Sequence, residues 1–271
     1  MPERIKHTFS RLKAAGQTAL IPYITLGDPD LETSFQAIRT LADAGADMIE
    51  LGVPFTDPVS DGPVIQKACD RALLNPFRMA DIFSLTKRVR NSGIEIPLIL
   101  MSYANPVFAL GFENFCSEAV KGGLDAVLIT DIPPEEAESY CRAASASRLD
   151  TVFLCSPTTS AQRLQKISAA STAYVYYVAH AGVTGARTAL PADIGAQLGH
   201  LKSSIKNPLC VGFGISTPEQ AASLAPHADG LIIGSALVKF FETHQGDDLQ
   251  QHISTFIKTM KGAMNHASKA A

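Results

Sequence analysis

Three carboxylates fall close together in "IELGVPFTDPVSDGP", residues 49–63: Glu50, Asp57 and Asp61. Glu50 lies inside an apolar run of strand character, where a charged carboxylate is costly to bury. Side chains alternate along a strand, so Glu50 faces opposite to Ile49 and Leu51. If those two pack outward, Glu50 points into an enclosed space. Desolvation there raises its pKa and readies it to exchange a proton near neutrality. The competing reading is a structural ion pair, yet no lysine occurs in any strand-like segment of the chain. Asp61, in "SDGP", reads as a second acid of the same site or as a turn aspartate before glycine. Asp57, before Pro58, reads as a turn or surface residue.

A second set of residues has the character of an anion site. "GVTG" (182–185), "GFG" (212–214) and "GS" (234–235) are small and free of lysine. Glycine lets backbone N–H groups approach an anion closely. Gly234 and Ser235 also open a helical segment, where the dipole favours phosphate. Each motif alone is a tight turn; all of them at one end of one fold would cradle a phosphate. Tyr103 and Tyr176 either line the same space or simply fill it, and packing is the default reading. No CxxC, HExxH or His-x-His occurs, so no metal ligand set is expected. No strand-borne lysine is present for a Schiff base. What remains is acid–base chemistry on a phosphorylated small molecule.

The elements that position these residues are legible as apolar runs of strand length at 19–25, 47–52, 97–103, 125–130, 150–156, 173–179, 208–214 and 229–235. They alternate little, as strands buried on both faces should. Helical patterns lie between them. Phe35, Ile38 and Leu41 make one stripe. Thr159 with Gln162 and Thr217 with Gln220 read as capping boxes, the second followed by Pro218 at the first helical position. "AGADMIELG", "GGLDAVLIT" and "PHADGLIIGS" each end a helix, place an aspartate and enter a strand. Repeated strand–helix units without a linker predict an α/β chain: a closed (β/α)8 TIM barrel in a single domain spanning 1–271. A doubly wound sheet would need a phosphate fingerprint after its first strand, and "TLGDPD" is not GxGxxG. Extra helices are expected at about 3–15, 79–91 and 247–263, the last with a packing stripe of Ile253, Phe256, Ile257 and Met260. In such barrels the chemistry collects at the strand C-termini, which gathers Glu50, the Asp61 loop, Tyr103, Tyr176 and the glycine segments at one mouth.

Composition excludes other classes. The 271 residues carry 23 basic and 26 acidic side chains, a net charge of -3, with no basic patch for nucleic acid. No apolar run reaches membrane-spanning length, and the N-terminus has no signal-peptide core, so a cytoplasmic protein is expected. The five cysteines have no paired spacing, which argues against a disulfide framework.

"PYITLGDPD", "GADMIELGVPFTDPVSDGPVIQ", "MSYANPVF", "AGVTG", "GFGIS" and "GSALVK" occur in this order and together resemble the tryptophan synthase alpha chain family. The resemblance implies a lyase that cleaves indole-3-glycerol phosphate to indole and glyceraldehyde 3-phosphate. It implies Glu50 as general acid–base and Asp61 as the group that holds the indole N–H. Tyr23 and Tyr103 would border the indole and Tyr176 would be the pocket tyrosine beside the glutamate, while Gly185, Gly214, Gly234 and Ser235 would hold the phosphate, with Gly212 and Thr184 close by. It implies no cofactor in this chain, and a beta chain partner carrying pyridoxal phosphate in an alpha2beta2 assembly. Asp57, Pro58 and Pro133, the last in "DIPPEE", would meet that partner. The segment 180–191 would be a lid that brings Thr184 toward Asp61. His180, Tyr23 and Ile233 depart from residues common in relatives. Two rival functions are another phosphate-binding barrel isomerase and a non-catalytic regulatory barrel subunit.

Overall fold

The computed structural model describes residues 3–178, 194–212 and 214–270, with side chains as far as 265. Helix α1 (Arg4–Ala14) precedes strand β1 (Ala19–Thr25), which leads through α2 (Leu31–Asp43) to β2 (Ile49–Gly52). Two helices follow β2, α3 (Pro63–Ala72) and α4 (Met79–Asn91), before β3 (Leu98–Ser102). The short α5 (Ala104–Phe108) and α6 (Phe112–Lys121) lead to β4 (Ala126–Ile129). Then come α7 (Glu138–Ser147), β5 (Asp150–Cys155), α8 (Ala161–Ala170), β6 (Tyr174–Val178) and α9 (Ile194–Ser204). The chain continues through β7 (Leu209–Gly212), α10 (Pro218–Leu224) and β8 (Gly230–Ile233), and ends in α11 (Ser235–Thr243) and α12 (Gly246–Ala270). Each strand pairs in parallel with the next, and β8 pairs with β1 to close the barrel. The expected (β/α)8 architecture is thus the observed one. The extra helices anticipated near both termini and at 79–91 are α1, α12 and α4, with α12 running further than 263.

Strand alternation sorts the buried side chains into two layers. Leu20, Ile49, Leu51, Leu100, Val127 and Val211 belong to the cluster between barrel and helices. Ile21, Ile99, Leu128, Val152, Cys210 and Ile232 form the cluster inside the barrel. Ile49 and Leu51 are fully buried on the outer layer, so Glu50 between them faces inward. Each such aliphatic gains about 2 kcal/mol from burial. A register slip of one residue would move both into the cavity and thrust Glu50 among the helices, which the pleat therefore forbids.

The recurrent aspartate before a strand has a structural purpose at the opposite, N-terminal end of the barrel. Asp47, Asp125 and Asp229 accept from the backbone N–H groups of Leu20, Leu98 and Leu209, each the residue at or near the start of the preceding strand. Cations neutralise each carboxylate: Arg11 and Lys261 at Asp47, Arg4 and Arg90 at Asp125, Lys202 at Asp229. These ties hold the barrel floor shut and leave the opposite mouth free.

Local signals held with one exception. Thr217 and Gln220 form the expected reciprocal box, with Pro218 opening α10. The Thr159–Gln162 box does not form, because the Thr159 hydroxyl accepts from the Ser156 N–H and closes the preceding turn. Ser160 caps α8 instead, accepting from the Arg163 N–H. The α12 stripe is core: Ile253, Ile257 and Met260 are fully buried and Phe256 packs beside them.

Candidate active site

A cavity of about 510 Å3 opens at the C-terminal mouth of the barrel. Its floor receives one inward residue from every strand: Tyr23, Glu50, Met101, Leu128, Leu154, Tyr176, Gly212 and Ile232. Most of these are apolar or aromatic, a surface suited to a flat hydrophobic ring. Two glycines make room for the tyrosines. A Cβ at Gly52 would collide with the Tyr23 hydroxyl, and one at Gly212 with the Tyr176 hydroxyl. The short apolar runs therefore end in glycine where the aromatic rings lie across the strands.

Glu50 is 1% exposed, and its Oε1 has no hydrogen-bond partner. Among the described residues no cation pairs with it, so the ion-pair reading fails on geometry. Burial, followed by the nearby Asp61 charge, pushes its carboxyl up to about 8. A carboxylic acid at that value stays largely protonated at neutral pH and can still release its proton.

Asp61 stands at the end of the β2 loop, 4% exposed on the cavity wall. It is far more than a turn residue, because Tyr103 Oη donates to its Oδ2 at 2.8 Å. The same Oη accepts from the Ser60 N–H at 3.0 Å, which fixes the direction of the Tyr103 proton. Phe55 stacks on the Tyr103 ring at 5.1 Å. Behind the loop, Pro63 opens α3 and the Gln66 side chain donates to the Asp61 carbonyl oxygen at 2.8 Å. Arg71 of α3 forms a bidentate pair with buried Asp28 after β1, at 2.8 and 2.6 Å. Asp61 is thus carried on an anchored helix start rather than on a free loop. Burial raises its carboxyl to about 6, against the opposing hydrogen bond from Tyr103. Two neighbouring carboxyls are therefore held at different proton affinities, one a proton store and one an anion at neutrality.

Gly234 is the N-cap of α11 and Ser235 its first residue, and both line the cavity with Gly212 and Gly214. Gly214 takes φ +69°, a left-handed conformation suited to glycine. Backbone N–H groups at the α11 start thus border the cavity, as an anion site requires. Tyr103 lies behind Asp61 and is not among the residues lining the cavity, so it acts on that space through the carboxylate. Asp57 is exposed, and Pro58 and Pro133 are half-buried outside the floor. Thr184, Gly185, His180 and the anticipated lid at 180–191 lie outside the described residues. Sequence reasoning passed over Arg163, which lines the cavity from the first turn of α8 and approaches Glu135 at 3.5 Å. Its signal was positional: a basic residue in the first turn after a barrel strand faces the mouth.

Fold and cavity place the chain among the (β/α)8-barrel enzymes. The family model described as tryptophan synthase alpha chain matches residues 9–269. The tryptophan synthase alpha chain of Citrifermentans bemidjiense is 43% identical over 266 residues, covering 98% of this chain and 99% of that protein. The crystal structure of tryptophan synthase subunit alpha from Legionella pneumophila strain Paris superposes with a TM-score of 0.91 at 39% identity, covering 98% of this chain and all of that one. A chain of the tryptophan synthase complex of Pyrococcus furiosus does so with a TM-score of 0.83 at 34% identity, covering 91% and 98% of the two chains. The chain belongs to the tryptophan synthase alpha chain family and is a lyase of that type.

Proposed function

We propose that this chain cleaves indole-3-glycerol phosphate to indole and glyceraldehyde 3-phosphate, with Glu50 as the proton carrier. The observation that carries the reading is Glu50 itself, a buried carboxyl on the cavity floor with an unpartnered Oε1 and a pKa of about 8. The reaction breaks the bond between indole C3 and the adjoining glycerol carbon. Protonated Glu50 gives its proton to C3, which leaves positive charge on the ring nitrogen. Asp61, ionised above about 6, accepts a hydrogen bond from the indole N–H and stabilises that charge as it develops. The Glu50 carboxylate then accepts the proton of the glycerol hydroxyl as the carbon–carbon bond breaks and the aldehyde forms. One proton is given and one returned, so the enzyme ends as it began.

The phosphate is held by backbone N–H groups at Gly234 and Ser235, with Gly212 and Gly214 beside them. The indole lies on the apolar floor between Tyr23 and Tyr176. The family resemblance assigns Gly185 to the same phosphate site, with Thr184 beside it. A beta chain that carries pyridoxal phosphate takes up the indole in an alpha2beta2 assembly. Support for a partner comes from the likeness to the Pyrococcus furiosus complex and from Val59, 73% exposed beside Asp57 and Pro58. The interface assigned to Asp57, Pro58 and Pro133 belongs to this proposal. No helix among the described residues is long and apolar enough to cross a membrane.

The direct test mixes the purified chain with indole-3-glycerol phosphate and follows indole release. Indole formed in proportion to enzyme, and lost in Glu50→Gln, supports the reading. Substrate consumed without indole would replace it with an isomerase.

A further inference from the structure

The described residues hold one group of metal-ligand type away from the cavity. His244 caps the C-terminus of α11, Asp248 lies in the first turn of α12 and His252 follows one turn later. One ligand atom from each lies within 4.8 Å of the others. The set reads H-x3-D-x3-H, which matches none of CxxC, HExxH or His-x-His, and it straddles the break between two helices.

Hydrogen bonds from neighbouring groups orient both imidazoles. His252 Nδ1 lies 2.8 Å from the Asp248 carbonyl oxygen, and His244 Nδ1 lies 3.3 Å from that of Phe240. A carbonyl oxygen only accepts, so His252 Nδ1 carries a proton and the neutral ring keeps its lone pair on Nε2; His244 Nδ1 also meets the Thr243 hydroxyl at 2.7 Å, a group that both donates and accepts, so either nitrogen of that ring is open to ligation. The Asp248 carboxylate, 3.4 Å from His252 Nδ1, is likewise an acceptor and does not change this. An imidazole that donates one N–H to a carbonyl and keeps its other nitrogen free is oriented and polarised for metal ligation. The rings are also held in place. Their centroids stand 3.8 Å apart, and the Phe240 ring lies 6.0 and 5.9 Å from them.

The spacing suits a small divalent ion. His244 Nε2 and Asp248 Oδ2 are 3.9 Å apart. Two ligands at about 2.0–2.1 Å on a tetrahedral ion stand about 3.3 Å apart. That edge closes by about 0.6 Å on binding, a side-chain adjustment. Side-chain exposures of 24% for His244, 43% for His252 and 64% for Asp248 leave a way in and a position for water. Two imidazoles and one carboxylate select ions of the zinc, nickel and copper type over magnesium or calcium.

We propose that His244, Asp248 and His252 bind one divalent transition-metal ion, which fastens the α11–α12 junction. The other end of α11 is the Gly234–Ser235 start that borders the cavity, about 13 Å away along nine helical residues. The metal therefore pins the helix that presents those N–H groups.

The test titrates zinc, and magnesium as control, into the full-length chain by calorimetry, with His244→Gln and His252→Gln variants alongside. Expected are one zinc per chain, no response to magnesium, and at least tenfold weaker zinc binding in each variant. Histidine-ring nitrogen NMR on wild type should show zinc shifts at His244 and His252. Zinc binding of full strength in both variants, shifts confined to other histidines, or no zinc binding by wild type would overturn the proposal.

Discussion

Replacing Glu50 by Gln should stabilise this protein, and do so more as pH rises. The wild-type carboxyl moves from the ordinary 4.5 of a glutamate to about 8 on folding. The folded chain therefore holds a proton that the unfolded chain releases between those values. Wild-type stability must fall as pH rises through that window, because ionising a buried, unpartnered carboxyl opposes folding. At about 1.4 kcal/mol per pH unit, the penalty reaches about 3 kcal/mol near pH 7 and levels off at about 5 kcal/mol above pH 8. Gln matches protonated Glu in size and polarity and has no charge to bury. The variant should equal wild type below about pH 4.5 and exceed it by these amounts above. Urea unfolding followed by circular dichroism, repeated from about pH 5 to 9, measures the difference while other titrating groups cancel. Turnover should drop at least about a hundredfold in the same variant, since an amide cannot carry the proton. A stability difference that stays flat with pH would show that Glu50 bears no desolvation penalty, and the argument for it as proton carrier would fall with it.

The remaining expectations concern the rest of the cavity. The rate should follow a bell in pH, rising as Asp61 ionises near about 6 and falling as Glu50 loses its proton near about 8; a profile flat across this range would remove both groups. Tyr103→Phe deletes the hydrogen bond that opposes the rise in the Asp61 pKa, so the acidic limb should move to higher pH while the basic limb stays. Asp61→Asn should lower kcat with little change in KM, because its charge matters most where positive charge develops; a raised KM at constant kcat would make it a plain binding residue. A Cβ at Gly234 meets the Tyr23 ring at an ordinary 3.5 Å, so Gly234→Ala should be tolerated. Gly234→Asp should weaken phosphate by charge, and equal competition by glycerol phosphate against both variants would misplace the anion site.

Much of the architecture was readable in the chain because its signals are local. Eight unalternating apolar runs, each bounded by turn residues, imply strands buried on both faces, and short connections without a linker imply one parallel barrel. Alternation alone set Glu50 against Ile49 and Leu51. The Thr217 cap was readable because its partners lie three residues apart, whereas the Thr159 box failed when a turn neighbour, Ser156, claimed the same hydroxyl. The aspartates before strands were visible as a repeat, but not their purpose. Their partners are the start of another strand and cations from distant helices.

The chain by itself determined which residues have the chemistry: a carboxyl in an apolar strand, a second in a Pro/Gly loop, and glycines where an anion could approach. Only tertiary structure decided their states. Asp61 sits on the cavity wall with the Tyr103 hydroxyl, 42 positions away, as its hydrogen-bond donor. Glu50 could have been an ion pair until closure of the barrel left its Oε1 buried and unpartnered. Arg163 reached the cavity wall, and His244, Asp248 and His252 came together, through helix placement that short motifs do not encode. Proton affinity is set by what surrounds a group in space, and closing the barrel brings those neighbours from strands and helices far apart in the chain.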